Sequence, residues 1–418
     1  MRWRGPASVV AAVYAVGSVS TALIGIALLS GCTSCESTVA QTTLPVLKAG
    51  SFDGVALDPT AKRLYLADRT DQGVDVVDVG SASPRFLATV PLAAYPNGLA
   101  MASDRHRLYA GLTGGDVAVI DTDPSSKTSM KVVDRIKLNQ PSVDLVDYSA
   151  SARRVFAATA PDFAIVAIDP ATDKVVNRYP LQEPLEQPRY DTADRMLYVS
   201  TPSTDTLLQV DPNYGDVVRR YPIPKCHASG LAVSPAHQLA LVACSGSIAA
   251  VNLVTGNYTV SRDVQGGDLI TYDASADRFV VASPHGPKDS SVGVFGGDGT
   301  FLGSVTADPK AHGAVLDAGS GRVFAPGAVG LMTFRPSACA PPPYWVDTLY
   351  HVSFFAVPLA VVAFALFLYA RSRDRSAKQK ARVPKWRQRL EDQAEERARM
   401  RALESSILDP PERPNPAG

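Results

Sequence analysis

The chain has 418 residues, 46% of them hydrophobic, with 41 Lys and Arg set against 41 Asp and Glu. That is enough for a core domain of roughly 300 residues with flanking segments. Zero formal charge leaves no basic surplus for a nucleic-acid backbone and argues against such a partner.

Residues 1–31 carry Arg2 and Arg4, then an apolar run from about Val9 to Leu29, and read as a signal peptide of the lipoprotein type. Leu29-Ser30-Gly31-Cys32 resembles a bacterial lipobox, which makes Cys32 the candidate lipidation site and residues 32–42 a linker. Ordinary cleavage near Ala40, or an uncleaved anchor, is the alternative.

From Phe52 the pattern FDGVALDPTAKRLYLADRTDQGVDVVDV recurs in six further copies, aligned on Leu64-Tyr65, Leu108-Tyr109, Val155-Phe156, Leu197-Tyr198, Ala240-Leu241, Phe279-Val280 and Val323-Phe324. Successive copies lie 39 to 47 residues apart, and each reads as four short strands separated by turn formers. That period predicts an all-β, seven-bladed β-propeller over residues 43–337. The seventh copy supplies three good strands, so Thr43–Lys48 is expected to provide the fourth and close the ring, removing the exposed sheet edges.

Four cysteines remain if Cys32 is lipidated. Cys226 precedes the first strand of the fifth copy and Cys244 ends its second, so antiparallel neighbours can bring them within bonding distance. Cys35 and Cys339 flank the ring closure and form a second candidate pair. The alternative for Cys226 and Cys244 is a metal site with His227, which lacks a fourth ligand nearby.

After a linker at 338–348, residues 349–370 contain no Asp, Glu, Lys or Arg. These 22 residues are long enough to cross the hydrocarbon layer as one transmembrane helix. Residues 371–389 then carry nine Lys or Arg against Asp374 alone, which places the 371–418 tail in the cytoplasm and the propeller outside it. The expected location is the cell membrane of a bacterium. The tail from Pro384 to about Leu408 reads as a charged helix, and the last residues as a Pro-rich end.

Gly98-Leu99-Ala100, Leu108-Tyr109 and Val117–Asp121 resemble the repeat of the YVTN-repeat, YncE-like β-propellers, and Cys226 to Cys244 matches a cysteine placement found in that group. The resemblance spans about residues 43–335 and implies the propeller fold. It departs at Pro188-Arg189-Tyr190 and Leu269-Ile270-Thr271, where Gly-Leu-Ala is the pattern. Members serve as binding surfaces, lactonases and redox subunits.

Twelve residues before the aligned second-strand position stand Asp53, Asn97, Asp144, Glu186, Ser229, Asp268 and His312. In a propeller these positions ring one mouth of the central channel. Such oxygen-rich residues suit Ca²⁺ or Mg²⁺, or another cationic ligand that neutralises crowded carboxylates. Asn97 in Pro96-Asn97-Gly98 also resembles the metal-binding Asn of gluconolactonase-like propellers. The competing reading is structural, because Asp and Asn favour strand starts, where they bond backbone amides. No nucleophile-base-orienter set, CxxCH, P-loop or GxSxG is visible, so no catalytic residue is assigned. The sequence thus favours a membrane-tethered binding or scaffold module of the cell envelope, docking an envelope protein or a ligand. A metal-dependent lactonase-type hydrolase using the acidic ring is the alternative.

Overall fold

A computed structural model describes residues 38–42, 51–285, 290–328, 330–336, 361–373 and 385–408. Seven four-stranded antiparallel sheets form the core domain. Blade 1 is built from Phe52–Asp58, Arg63–Asp68, Gly73–Asp78 and Arg85–Pro91. Blades 2 to 6 occupy residues 96–137, 142–180, 188–222, 231–261 and 270–306, their strands hydrogen-bonded in chain order. Blade 7 combines Val315–Asp317, Arg322–Gly327 and Gly330–Arg335 with Thr38–Thr42. The first strand of each blade touches the first strand of the next, and Val315–Asp317 against Phe52–Asp58 completes the circle. The seven-bladed propeller read from the repeat is the fold observed.

The closing strand differs from the one expected. Thr38–Thr42, not Thr43–Lys48, pairs with Gly330–Arg335, in a register running from Thr38 opposite Arg335 to Thr42 opposite Leu331. Residues 43–48 lie outside the described residues. Chain reach explains the difference. From Lys48 to Phe52 the backbone spans at most about 14 Å, and the outermost and innermost strands of one blade are themselves ~14 Å apart. Starting from Thr42 gives ten residue steps and room to turn into blade 1.

The repeated residues have identifiable duties. Tyr65, Tyr109, Phe156, Tyr198, Leu241, Phe279 and Phe324 are fully buried. Among the described residues seven apolar clusters occur, one between each pair of neighbouring blades. The cluster of Phe52, Leu64 and Val77 with Phe324 and Leu331 joins blade 1 to blade 7. In blades 1 to 5 an Asx residue at or just past the end of the third strand caps the following turn: Asp78 accepts from the amide of Gly80 at 2.9 Å, Asp169 from Ala171 at 2.9 Å, and Asp211 from Asn213 at 2.8 Å. Arginines tie blades together through backbone carbonyls, as in Arg178 Nη2 to Leu138 O at 2.7 Å and Arg322 Nη1 to Ala82 O at 3.1 Å. Cys226 and Cys244 are joined by a disulfide within blade 5, with Cα atoms 4.4 Å apart, and His227 beside them points outward, its side chain 68% exposed. Cys32, Cys35 and Cys339 lie outside the described residues.

Of the C-terminal part, residues 361–373 and Lys385–Leu408 are helical, and Trp386, Leu390, Met400 and Leu403 of the second helix are exposed. Among the described residues no helix is long and apolar enough to cross a membrane; residues 349–360 of the expected span, like the signal segment 1–31, fall outside them.

Glycine lets the innermost strands converge on the axis. A Cβ on Gly98 would lie 2.6 Å from Leu145 Cα, and one on Gly230 only 2.0 Å from the Asp268 carbonyl oxygen. Gly230→Ala is therefore expected to cost about 1–3 kcal/mol, read as a lower melting temperature. Gly246→Ala, which meets nothing within 4 Å, should leave the melting temperature nearly unchanged.

Candidate functional site

The side chains of Asp53, Asp144, Glu186, Asp268 and His312, contributed by the segments leading into five different innermost strands, line one cavity of about 290 Å³ together with Ser51, Phe52, Arg69, Leu145 and Leu269. Where other repeats have glycine, the third, fourth and sixth carry Leu145, Gln187 and Leu269. These three, with Arg189 and Thr271, line a residual channel cavity of only about 20 Å³. The mouth is accordingly a cup with a narrowed floor. Arg189 is held in the channel wall by Asp147, 3.5 Å away, and Asp147 accepts from the Tyr190 amide at 2.9 Å.

Two members of the sequence-derived ring do not line the cup. Asn97 is buried, accepts from Arg69 Nη1 through Oδ1, and donates through Nδ2 to Val143 O at 2.7 Å. Its amide links three blades and is used up in doing so. Ser229 donates through Oγ to Gly267 O at 3.1 Å, toward blade 6.

The cup has a compensated half and an uncompensated half. Arg69 Nη1 donates to Asp53 Oδ2 at 3.0 Å and stacks its guanidinium 5.9 Å from the Tyr95 ring centroid. On the next side His312 Nδ1 lies 2.5 Å from Asp268 Oδ2. An ionised carboxylate only accepts, so Nδ1 carries the proton. That hydrogen bond raises the His312 pKa and outweighs the opposing effect of burial. Among the described residues no basic side chain is bonded to Asp144 or Glu186. Burial, then the charges of Asp53 and Asp268, pushes Asp144 up to about 6, with the more distant charge of Arg69 working against the shift. Burial, then Asp144, Asp268 and Asp53, pushes Glu186 up to about 7. Asp53 is raised by burial and Asp268, with Arg69 working against the shift.

This distribution differs from the ion-binding ring that the residue types suggested. Among the described residues no three Asp, Glu, His or Cys side chains stand close enough to hold one metal ion. The physical reason is that Asp53 and Asp268 each already engage an internal basic side chain, leaving Asp144 and Glu186 as the unpaired carboxylates. Arg69, which does this on one side, is the functional residue that the ring count missed. A signal for it exists. The residue following each second strand is Arg69, Thr113, Pro161, Pro202, Ser245, Pro284 or Ala328, so one long cation stands at a position otherwise held by short side chains.

No family model matches this chain, and no curated protein matches its sequence. Among solved structures it is similar to Kuenenia stuttgartiensis hydrazine synthase, with a TM-score of 0.58 and 14% identity over 71% of this chain and 97% of that one. At that identity the likeness shows the propeller fold alone.

The raised carboxyls make the cup a source of pH-dependent instability. A group whose folded pKa exceeds its unfolded one favours the folded state at low pH and loses that contribution as pH rises through the folded value. Wild-type stability should therefore fall from about pH 4, where these carboxyls begin to ionise in the unfolded chain, to about pH 7, where Glu186 and Asp144 ionise in the folded one. Glu186→Gln should flatten that fall, melting higher than wild type at the alkaline end and close to it at the acid end. Calorimetric scans across that range check the sign.

Proposed function

We propose that the chain is a binding or scaffold module of the cell envelope, tethered to the membrane by residues 349–370, with the propeller on the extracytoplasmic side and the 371–418 tail in the cytoplasm. Its repeats read as those of the YVTN-repeat, YncE-like propellers, and Cys32 is the candidate lipid anchor at the other end of the chain. The observation that carries the binding reading is the cup itself, where five ring side chains from separate blades meet on one polar cavity with a narrowed floor. A cavity of that size is at the small end of the range for ligand sites. The Asp144 and Glu186 carboxyls facing it lack the counter-charge that a partner or ligand can bring.

A photo-crosslinking residue at Tyr95, on the cup rim, is expected to trap adducts in cells that vanish in the Asp144→Asn/Glu186→Gln variant of the full chain. The same crosslinker at Tyr214, 79% exposed in the turn after the third strand of blade 4, should give no ring-dependent adduct. Adducts at Tyr95 that persist unchanged in the double variant would contradict a role for the cup. The orientation is checked by protease added to spheroplasts, which should remove the propeller and leave a membrane-held fragment containing 371–418. Loss of the tail with an intact propeller would reverse it.

A further inference from the structure

The cup already shows how it holds a cation, because one of its own is seated there. Arg69 leaves the end of the second strand of blade 1 and lays its guanidinium between Asp53 and Asn97. Each of the other six blades has Thr, Pro, Ser or Ala at that position, too short to cross the cup. The Asp144 and Glu186 side has the same kind of acceptors, and the arginine of its channel wall, Arg189, is engaged by Asp147. This side opens on the same cavity of about 290 Å³, to which Leu145 beside Asp144 and Leu269 beside Asp268 add apolar surface, above a floor that also holds Gln187. That volume is several times what a bare ion fills, and the carboxylates are too dispersed to coordinate one metal ion. A flat, multi-donor cation can instead bridge separated acceptors, since a guanidinium presents five N–H groups in a planar fork.

We propose that the Asp144 and Glu186 half of the cup binds a second guanidinium or primary ammonium group, carried on an apolar stem that rests on Leu145 and Leu269. This deepens the binding reading above and rests on it. The occupant is an organic cation, delivered as a free small molecule or as an Arg or Lys side chain, and Arg69 is its counterpart within the chain. Ionised Asp144 and Glu186 are the acceptors, so affinity rises with pH through the range in which they lose their protons. The groups that share the cavity with them are Asp53, Asp268, Arg69 and His312. Of these, Arg69 and His312 are themselves engaged by Asp53 and Asp268.

The test is titration calorimetry on the full chain in detergent at about pH 8, above both raised carboxyl values. Methylguanidinium, agmatine and a short Arg-containing peptide are the probes, with MgCl₂ and KCl as ion controls. One equivalent of the guanidinium probes should bind, with affinity weakened about tenfold or more in Asp144→Asn/Glu186→Gln and MgCl₂ unable to compete at equal ionic strength. Agmatine binding without the peptide would assign the site to a small molecule, and peptide binding to a protein side chain; either supports the cation class. Arg69→Ala should admit a second equivalent of methylguanidinium and recover its lost melting temperature as that probe is added. Binding indifferent to Asp144 and Glu186, or tighter binding of Mg²⁺ than of guanidinium, would overturn the proposal. The double variant is isosteric, and a wild-type melting temperature at about pH 5, where these raised carboxyls are protonated, shows that it folds. Ring-dependent crosslinks without cation binding would leave the binding reading standing and remove this assignment alone.

Discussion

The contact of Phe52, Leu64 and Val77 with Phe324 and Leu331 is the one on which the other six inter-blade clusters depend. A four-stranded sheet has two apolar faces and can be covered only by neighbours, so an open row of blades would leave one face bare at each end. The chain closes the row twice over. Thr38–Thr42 completes the sheet of blade 7 from the N-terminal side, and Arg322 crosses to the carbonyl oxygens of Val79 and Ala82 on blade 1. Closing the circle fixes the radius at which the seven innermost strands meet. The glycines at 98 and 230 permit that radius, because any larger side chain there would strike the neighbouring backbone.

The cup is a consequence of this convergence. Residues that start equivalent strands in a linear sequence are carried to one small circle, where their charges act on one another. Crowded carboxylates partly shielded from water raise one another's pKa unless counter-charges arrive, as at Asp53, Asp144 and Glu186. Arg69 and His312 supply counter-charge at Asp53 and Asp268. Asp144 and Glu186 remain as the side on which an incoming positive group gains most.

Much of this was legible in the sequence because the repeat is strict where the physics is strict. The buried aromatic at Tyr65, Tyr109 and Phe156, the Asx residue that caps the turn after the third strand in blades 1 to 5, and the channel glycine at 54, 98, 230 and 313 recur because those blades meet the same steric demand. The ring positions followed from counting along that repeat. What counting missed was anything decided by reach or by a single blade. Thr43–Lys48 looks more like an outer strand than Thr38–Thr42 does, yet only the earlier segment leaves enough chain to turn into Phe52. Asn97 and Ser229 occupy ring positions, but their short side chains find backbone partners before they find the cavity. Arg69 belongs to no repeated position of note. Its length alone, against Thr113, Pro161 and their equivalents, brings it over the cup, and it changes the site from an ion-binding ring to a half-neutralised one.

The most direct test is the protonation of the two uncompensated carboxyls. Infrared difference spectra of the full chain between about pH 5 and about pH 8 should show protonated carboxyl bands disappearing as pH rises. One such band should be absent in Glu186→Gln and another in Asp144→Asn. Spectra in which both groups are already ionised at the acid end, with no band lost in either variant, would mean that the cup does not crowd its charges, and the account built on its unpaired half would fail.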